Sequence, residues 1–82
     1  MSELKVRVFK GGESEPATTV TIPAGVLKIA HKFIPDRAIT ALKEQGIDID
    51  ELVRLSESPG TLGKLAEIED HKKNERVIIS LE

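Results

Sequence analysis

Residues 3–10 read Glu3-Leu4-Lys5-Val6-Arg7-Val8-Phe9-Lys10. Apolar and charged side chains alternate with period two, the pattern of a strand with one face in a core and the other in water. Leu4, Val6 and Val8 take the inner face; Lys5, Arg7 and Phe9 take the outer. Gly11-Gly12-Glu13-Ser14-Glu15-Pro16 is turn chemistry, combining residues that accept positive φ with one that presets a bend. Residues 17–22, Ala-Thr-Thr-Val-Thr-Ile, alternate again, with Val20 and Ile22 inward and Thr19 and Thr21 outward. The two runs predict an antiparallel hairpin.

A second hairpin is predicted at the other end of the chain. Residues 63–69 form a strand with weaker alternation, His71-Lys72-Lys73-Asn74 a polar turn, and residues 75–81, Glu-Arg-Val-Ile-Ile-Ser-Leu, a strand of high β propensity. Between the hairpins the period changes to that of a helix. Val26, Leu27, Ile29, Ala30, Phe33 and Ile34 fall on one stripe, opposite Lys28, His31 and Lys32, which predicts an amphipathic helix over 24–34. Pro23 opens it and Pro35 closes it. A second helix spans 36–45, with Ala38, Ile39 and Leu42 on one face and Gly46 as the residue just past its end. A third spans 49–57, entered through Asp48 with Glu51 three residues on and ended by Ser58-Pro59-Gly60.

The order ββαααββ predicts an α+β fold. Two antiparallel hairpins flank a helical segment, forming one four-stranded sheet covered on one face by two or three helices. The expected core is Val6, Val8, Val20, Ile22, Leu27, Ala30, Phe33, Ile39, Leu42, Leu52, Val53, Ile68, Val77 and Ile79. With 82 residues, the chain is read as a single domain, 1–82, either complete or excised from a longer protein. Leu81-Glu82 reads equally as a native end or as the join to a purification tag.

Composition narrows the functional classes. Twelve Lys plus Arg against 14 Asp plus Glu give a net charge of −2, which argues against a general nucleic-acid binder. Cysteine is absent, excluding disulfides, thiol catalysis and Cys-based zinc sites. Phe9 and Phe33 are the only aromatics, too few for a base-stacking platform. No apolar run approaches the length of a membrane span, and no secretory leader is legible, so a cytoplasmic location is expected.

Several segments together carry a family likeness: Val20-Thr21-Ile22-Pro23 followed by Val26-Leu27-Lys28, then Phe33-Ile34-Pro35, and Gly46-Ile47-Asp48-Ile49-Asp50-Glu51-Leu52. Gly63-Lys64-Leu65-Ala66-Glu67-Ile68-Glu69-Asp70 and Glu75-Arg76-Val77-Ile78-Ile79 complete it. Over roughly residues 3–80 the chain resembles a small prokaryotic domain that accompanies SHOCT-like helical segments. Some proteins with that domain, in Gram-positive bacteria, are associated with cell-envelope stress. The shared motifs are structural, and the resemblance implies no catalytic residues.

The residues themselves offer little chemistry. His31 and His71 lie 40 positions apart, and Asp48, Asp50 and Glu51 lack the spacing of a calcium loop, so no metal site is expected. Ser14, Ser56, Ser58 and Ser80 sit in no nucleophile motif, and Glu67 with Glu69 reads as a solvated strand face. Gly11-Gly12 and the Gly60, Gly63 pair do not match a phosphate loop. The expectation is therefore no enzyme and no cofactor, but an interaction or self-association module. Phe9 and Ile78, apolar at outward strand positions, are the candidate homodimer contact, with an unidentified protein as the other partner considered. The alternative is a peripheral membrane or envelope domain meeting an anionic surface through Lys28, His31 and Lys32. Residues 28–43 hold four basic residues and one acid, whereas 44–57 hold five acids and one Arg. A small-ligand binder is the third reading.

Overall fold

A computed structural model of the chain describes residues 2–58 and 60–82. Strands β1 (Glu3–Lys10) and β2 (Thr18–Pro23) form the first hairpin, and β3 (Gly63–Asp70) and β4 (Glu75–Leu81) the second. All pairings are antiparallel, and the order across the sheet is β2-β1-β4-β3. The first and last strands therefore lie side by side in the middle. The alternation of β1 sets the faces. Val20, Val6, Ile79 and Ala66 form one inward row across all four strands, and Thr19, Arg7, Ile78 and Glu67 form the neighbouring outward row.

Two regular helices cover the inner face. Helix α2 (Asp36–Glu44) packs on β3 and β4, and α3 (Ile49–Glu57) meets the segment that follows β2. Helix α2 ends as its sequence directs. Gly46 adopts φ 77°, its N–H donates to the Lys43 carbonyl at 2.9 Å, and the Ile47 N–H donates to the Leu42 carbonyl at 2.9 Å. That pair of bonds is the Schellman arrangement. Helix α3 begins on Asp48, whose Oδ1 accepts from the Glu51 N–H at 2.8 Å. Pro59, part of the expected break after α3, lies outside the described residues.

The helix expected over 24–34 is broken into three turns. A 3-10 turn (Ala24–Val26) leads into a single α turn, α1 (Leu27–Ala30), and a second 3-10 turn follows (His31–Phe33). Val26 (φ −116°, ψ 7°) and Ala30 (φ −88°, ψ 0°) sit in the bridge region at the two breaks. A stretch this short, confined between Pro23 and Pro35 and containing Gly25, gains little from helix cooperativity. Its two prolines do fix where it starts and stops. Pro23 leaves extended at ψ 144°, and Ile34 is extended at ψ 128° before Pro35.

The core holds Leu4, Val6, Val8, Ile22, Leu27, Leu42, Leu52, Val53, Val77, Ile79 and Leu81, with Val20, Ala30, Ile39 and Ile68 packed half-buried at its margin. Phe33, expected inside, is 67% exposed. The breaks at Val26 and Ala30 leave Leu27 and Ile34 as the buried anchors of the segment, and Phe33 falls on the other side of them.

Candidate functional site

Read as a regular helix at about 100° per residue, the sequence of segment 24–34 gives an apolar arc wider than one packing surface can cover, and the broken segment divides it. Leu27, Ala30 and Ile34 occupy one half of the arc and face the sheet. Val26, Ile29 and Phe33 occupy the other half and face solvent at 44, 75 and 67% exposure. Lys28 and Lys32, both exposed and four residues apart, line the edge of that outer half. The Lys32 Nζ lies 5.6 Å from the centroid of the Phe33 ring. His31 is half-buried on the opposite flank. No acid occurs between Pro23 and Pro35.

The ridge is held firmly from beneath. The Ala24 N–H donates to the Ser2 carbonyl at 3.1 Å, the Ser2 hydroxyl donates to the Ser56 carbonyl at 2.5 Å, and Leu27 is fully buried. The arrangement presents three large apolar side chains and two ammonium groups on a surface anchored to β2 and α3. No group of residues suited to a metal occurs among the described residues.

The other candidates are placed differently. Phe9 points to the outer face, as alternation dictates, but it is only 8% exposed, so the exposed patch expected of Phe9 with Ile78 does not form. Its cross-strand neighbour Arg76 covers the ring, with the guanidinium carbon 4.9 Å from the centroid. Ile78 is half-buried between its register neighbours Arg7 and Glu67. Around these two the outer face is a lattice of ion pairs. Arg7 pairs with Glu82, and Lys64 with Glu67 at 2.9 Å. The Arg7 guanidinium, followed by the Ser80 hydroxyl, holds the Glu82 carboxyl down to about 2.

A hollow of about 410 Å³ opens between Ser2, the end of α3 and Glu82, with Leu62 at its rim. Its serines are committed locally: the Ser56 hydroxyl donates to the Val53 carbonyl at 2.7 Å and the Ser58 hydroxyl to the Arg54 carbonyl at 2.9 Å. No histidine lines it; its carboxylates are Glu57 and Glu82, and Glu82 is engaged by Arg7 and by the Ser80 hydroxyl at 2.9 Å. Two of the five acids in 44–57 have structural roles, Asp48 capping α3 and Glu51 pairing with Arg54 at 2.5 Å, while Glu44, Asp50 and Glu57 are exposed. His71 lies at the far turn, 3.9 Å from Glu69.

No helix among the described residues is long and apolar enough to cross a membrane. Sequence reasoning placed Val26 and Ile29 on one apolar stripe with Leu27, Ala30 and Phe33, and of these expected Leu27, Ala30 and Phe33 in the core; the signal that could have separated Phe33 from the core is the width of the arc relative to the length of the segment. In comparison with known proteins, residues 3–80 match the family model described as YvlB-like protein, C-terminal domain. No curated protein and no solved structure matches the chain.

Proposed function

The chain belongs to the YvlB-like protein, C-terminal domain family, and we propose that it serves there as a non-catalytic interaction module whose contact surface is the Val26, Ile29, Phe33 ridge. The observation that carries this is the exposure of all three on one eleven-residue segment, the other exposed large apolar side chain among the described residues being the isolated Leu62. Scattered exposed apolar residues are ordinary, whereas a contiguous set with charged neighbours marks a contact surface. A homodimer through Phe9 and Ile78 receives less support, because Arg76 covers the Phe9 ring. A cytoplasmic setting and a pairing with SHOCT-like helical segments belong to this same proposal.

The test is the double variant I29S/F33S. It is expected to melt within about 3 °C of the parent protein, as surface substitutions do, and to be retained less on a phenyl matrix. Unfolding would make the ridge part of the core, and unchanged retention would place the dominant apolar surface elsewhere. Either result overturns the reading.

A further inference from the structure

The three exposed apolar side chains of the ridge present roughly 300 Å², within the range of the largest patch on an ordinary monomer. A stable protein interface removes about 800 Å² from each partner, so the ridge alone is too small for a second copy of the chain. It also lacks the Tyr, Trp and Arg anchors that give protein contacts their register. A fluid surface demands neither area nor register. It accepts a few apolar side chains at the boundary between headgroups and acyl chains, and it rewards cations at the level of its phosphates.

The charge distribution selects the kind of surface. The chain carries net −2, yet the stretch from Pro23 to Pro35 holds Lys28, Lys32 and His31 and no acid. The rest of the molecule is therefore more acidic than the whole. On net charge an anionic plane attracts the ridge and repels the remainder, which favours the orientation with the ridge toward the plane, the exposed His71-Lys72-Lys73 turn being the other basic site. The bridge-region residues Val26 and Ala30 turn Ile29 and Phe33 away from the core, and the 5.6 Å approach of Lys32 to the Phe33 ring puts ammonium and ring at one contact point.

We propose that this ridge seats the domain on an anionic lipid bilayer, with Ile29 and Phe33 entering the headgroup boundary and Lys28 and Lys32 against lipid phosphates. The proposal rests on the docking reading of the ridge and names its occupant. The experiment is co-sedimentation with phosphatidylcholine vesicles, with and without phosphatidylglycerol, using the parent protein, I29S/F33S and K28E/K32E, each checked for fold by circular dichroism. Binding is expected only to vesicles containing phosphatidylglycerol. It should weaken by at least about thirtyfold in K28E/K32E, fall at high salt, and disappear in I29S/F33S. Absence of binding at low salt overturns the proposal, as does binding that I29S/F33S retains. A folded I29S/F33S variant together with a parent protein that ignores vesicles would sink the bilayer while leaving a docking ridge with a protein occupant. An unfolded I29S/F33S variant would remove the ridge reading itself.

Discussion

Arg76 and Phe9 face each other across β1 and β4, and the Arg76 guanidinium carbon stands 4.9 Å above the ring. The Nε of Arg76 is buried without a hydrogen-bond partner among the described residues, so the ring is its main contact on that side. Charge over a π face and the packing of the Arg stem both favour the pair. Truncation in R76A is expected to lower stability by about 1 kcal/mol, with R76M losing less because a long apolar stem still covers the ring. Urea denaturation measures this; equal losses in the two variants would assign the contact to charge alone.

Acid should weaken the fold through carboxylates that the native state holds ionised. Glu82 sits at about 2 in the folded protein, against an ordinary 4.5, chiefly because Arg7 donates to it and then because Ser80 does. The carboxyl groups of Glu67, facing Lys64, and of Asp70, accepting backbone N–H bonds from Lys73 and Lys72, are also lowered. The unfolded chain takes up protons first as pH falls. Stability present above about pH 4.5 is then lost progressively toward about pH 2. E82Q should show a shallower fall than the parent protein when denaturation midpoints are followed across that window, and superimposable pH slopes would contradict the assignment.

Arg37 ties α2 to the second hairpin, donating to Glu75 at 2.6 Å and to Asp70 at 3.5 Å. Glu75 is mostly shielded from solvent, so the bond to it is charge-assisted and weakly screened. R37A is expected to destabilise by roughly 1–2 kcal/mol. Amide hydrogen exchange should rise at the turn between β3 and β4 more than in the first hairpin. Uniform acceleration would instead indicate general loss of packing.

Helix boundaries offer two further substitutions. D48A removes the acceptor for the Glu51 N–H and should reduce stability by about 1 kcal/mol. A Cβ on Gly46 would meet nothing within 4 Å, so G46A isolates the strain of φ 77° and should lower stability by about 1 kcal/mol. Thermal denaturation of each variant reads both values, and a neutral G46A would mean that the turn relaxes out of the left-handed region.

These boundaries were legible in the sequence because each depends on a few neighbours. Asp48 needs only the N–H groups ahead of it, Gly46 only its own backbone, and the strand faces only the period-two alternation of Leu4, Val6 and Val8. Membership in a small prokaryotic domain family was legible over residues 3–80 from structural motifs such as Ile22-Pro23 and Gly46-Ile47-Asp48. Segment 24–34 was not, because periodicity defines the apolar arc but not how much of it the sheet and α3 cover. Leu27 and Ile34 are covered, while Ile29 and Phe33 are left out. Phe9 illustrates the converse. Alternation assigns its face correctly, but its cover comes from Arg76, a residue 67 positions away that alternation treats as solvated. The β3 irregularity between Lys64 and Ala66 escaped as well, since a single extra residue leaves a weakly alternating strand looking much the same.

The central β1–β4 pairing has a mechanical consequence. Glu3 and Glu82 exchange two backbone hydrogen bonds, at 2.7 and 2.9 Å, and the ion pair of Arg7 with Glu82 closes over the same end. Because the strands are antiparallel, tension applied to the two chain ends would fall first on this single rung. The ladder would then be loaded one hydrogen bond at a time rather than all together, since its bonds lie across the strands. The domain would open like a zip from that end, parting into two hairpins at low force. A tether running through it would find its weakest link at Glu3 and Glu82.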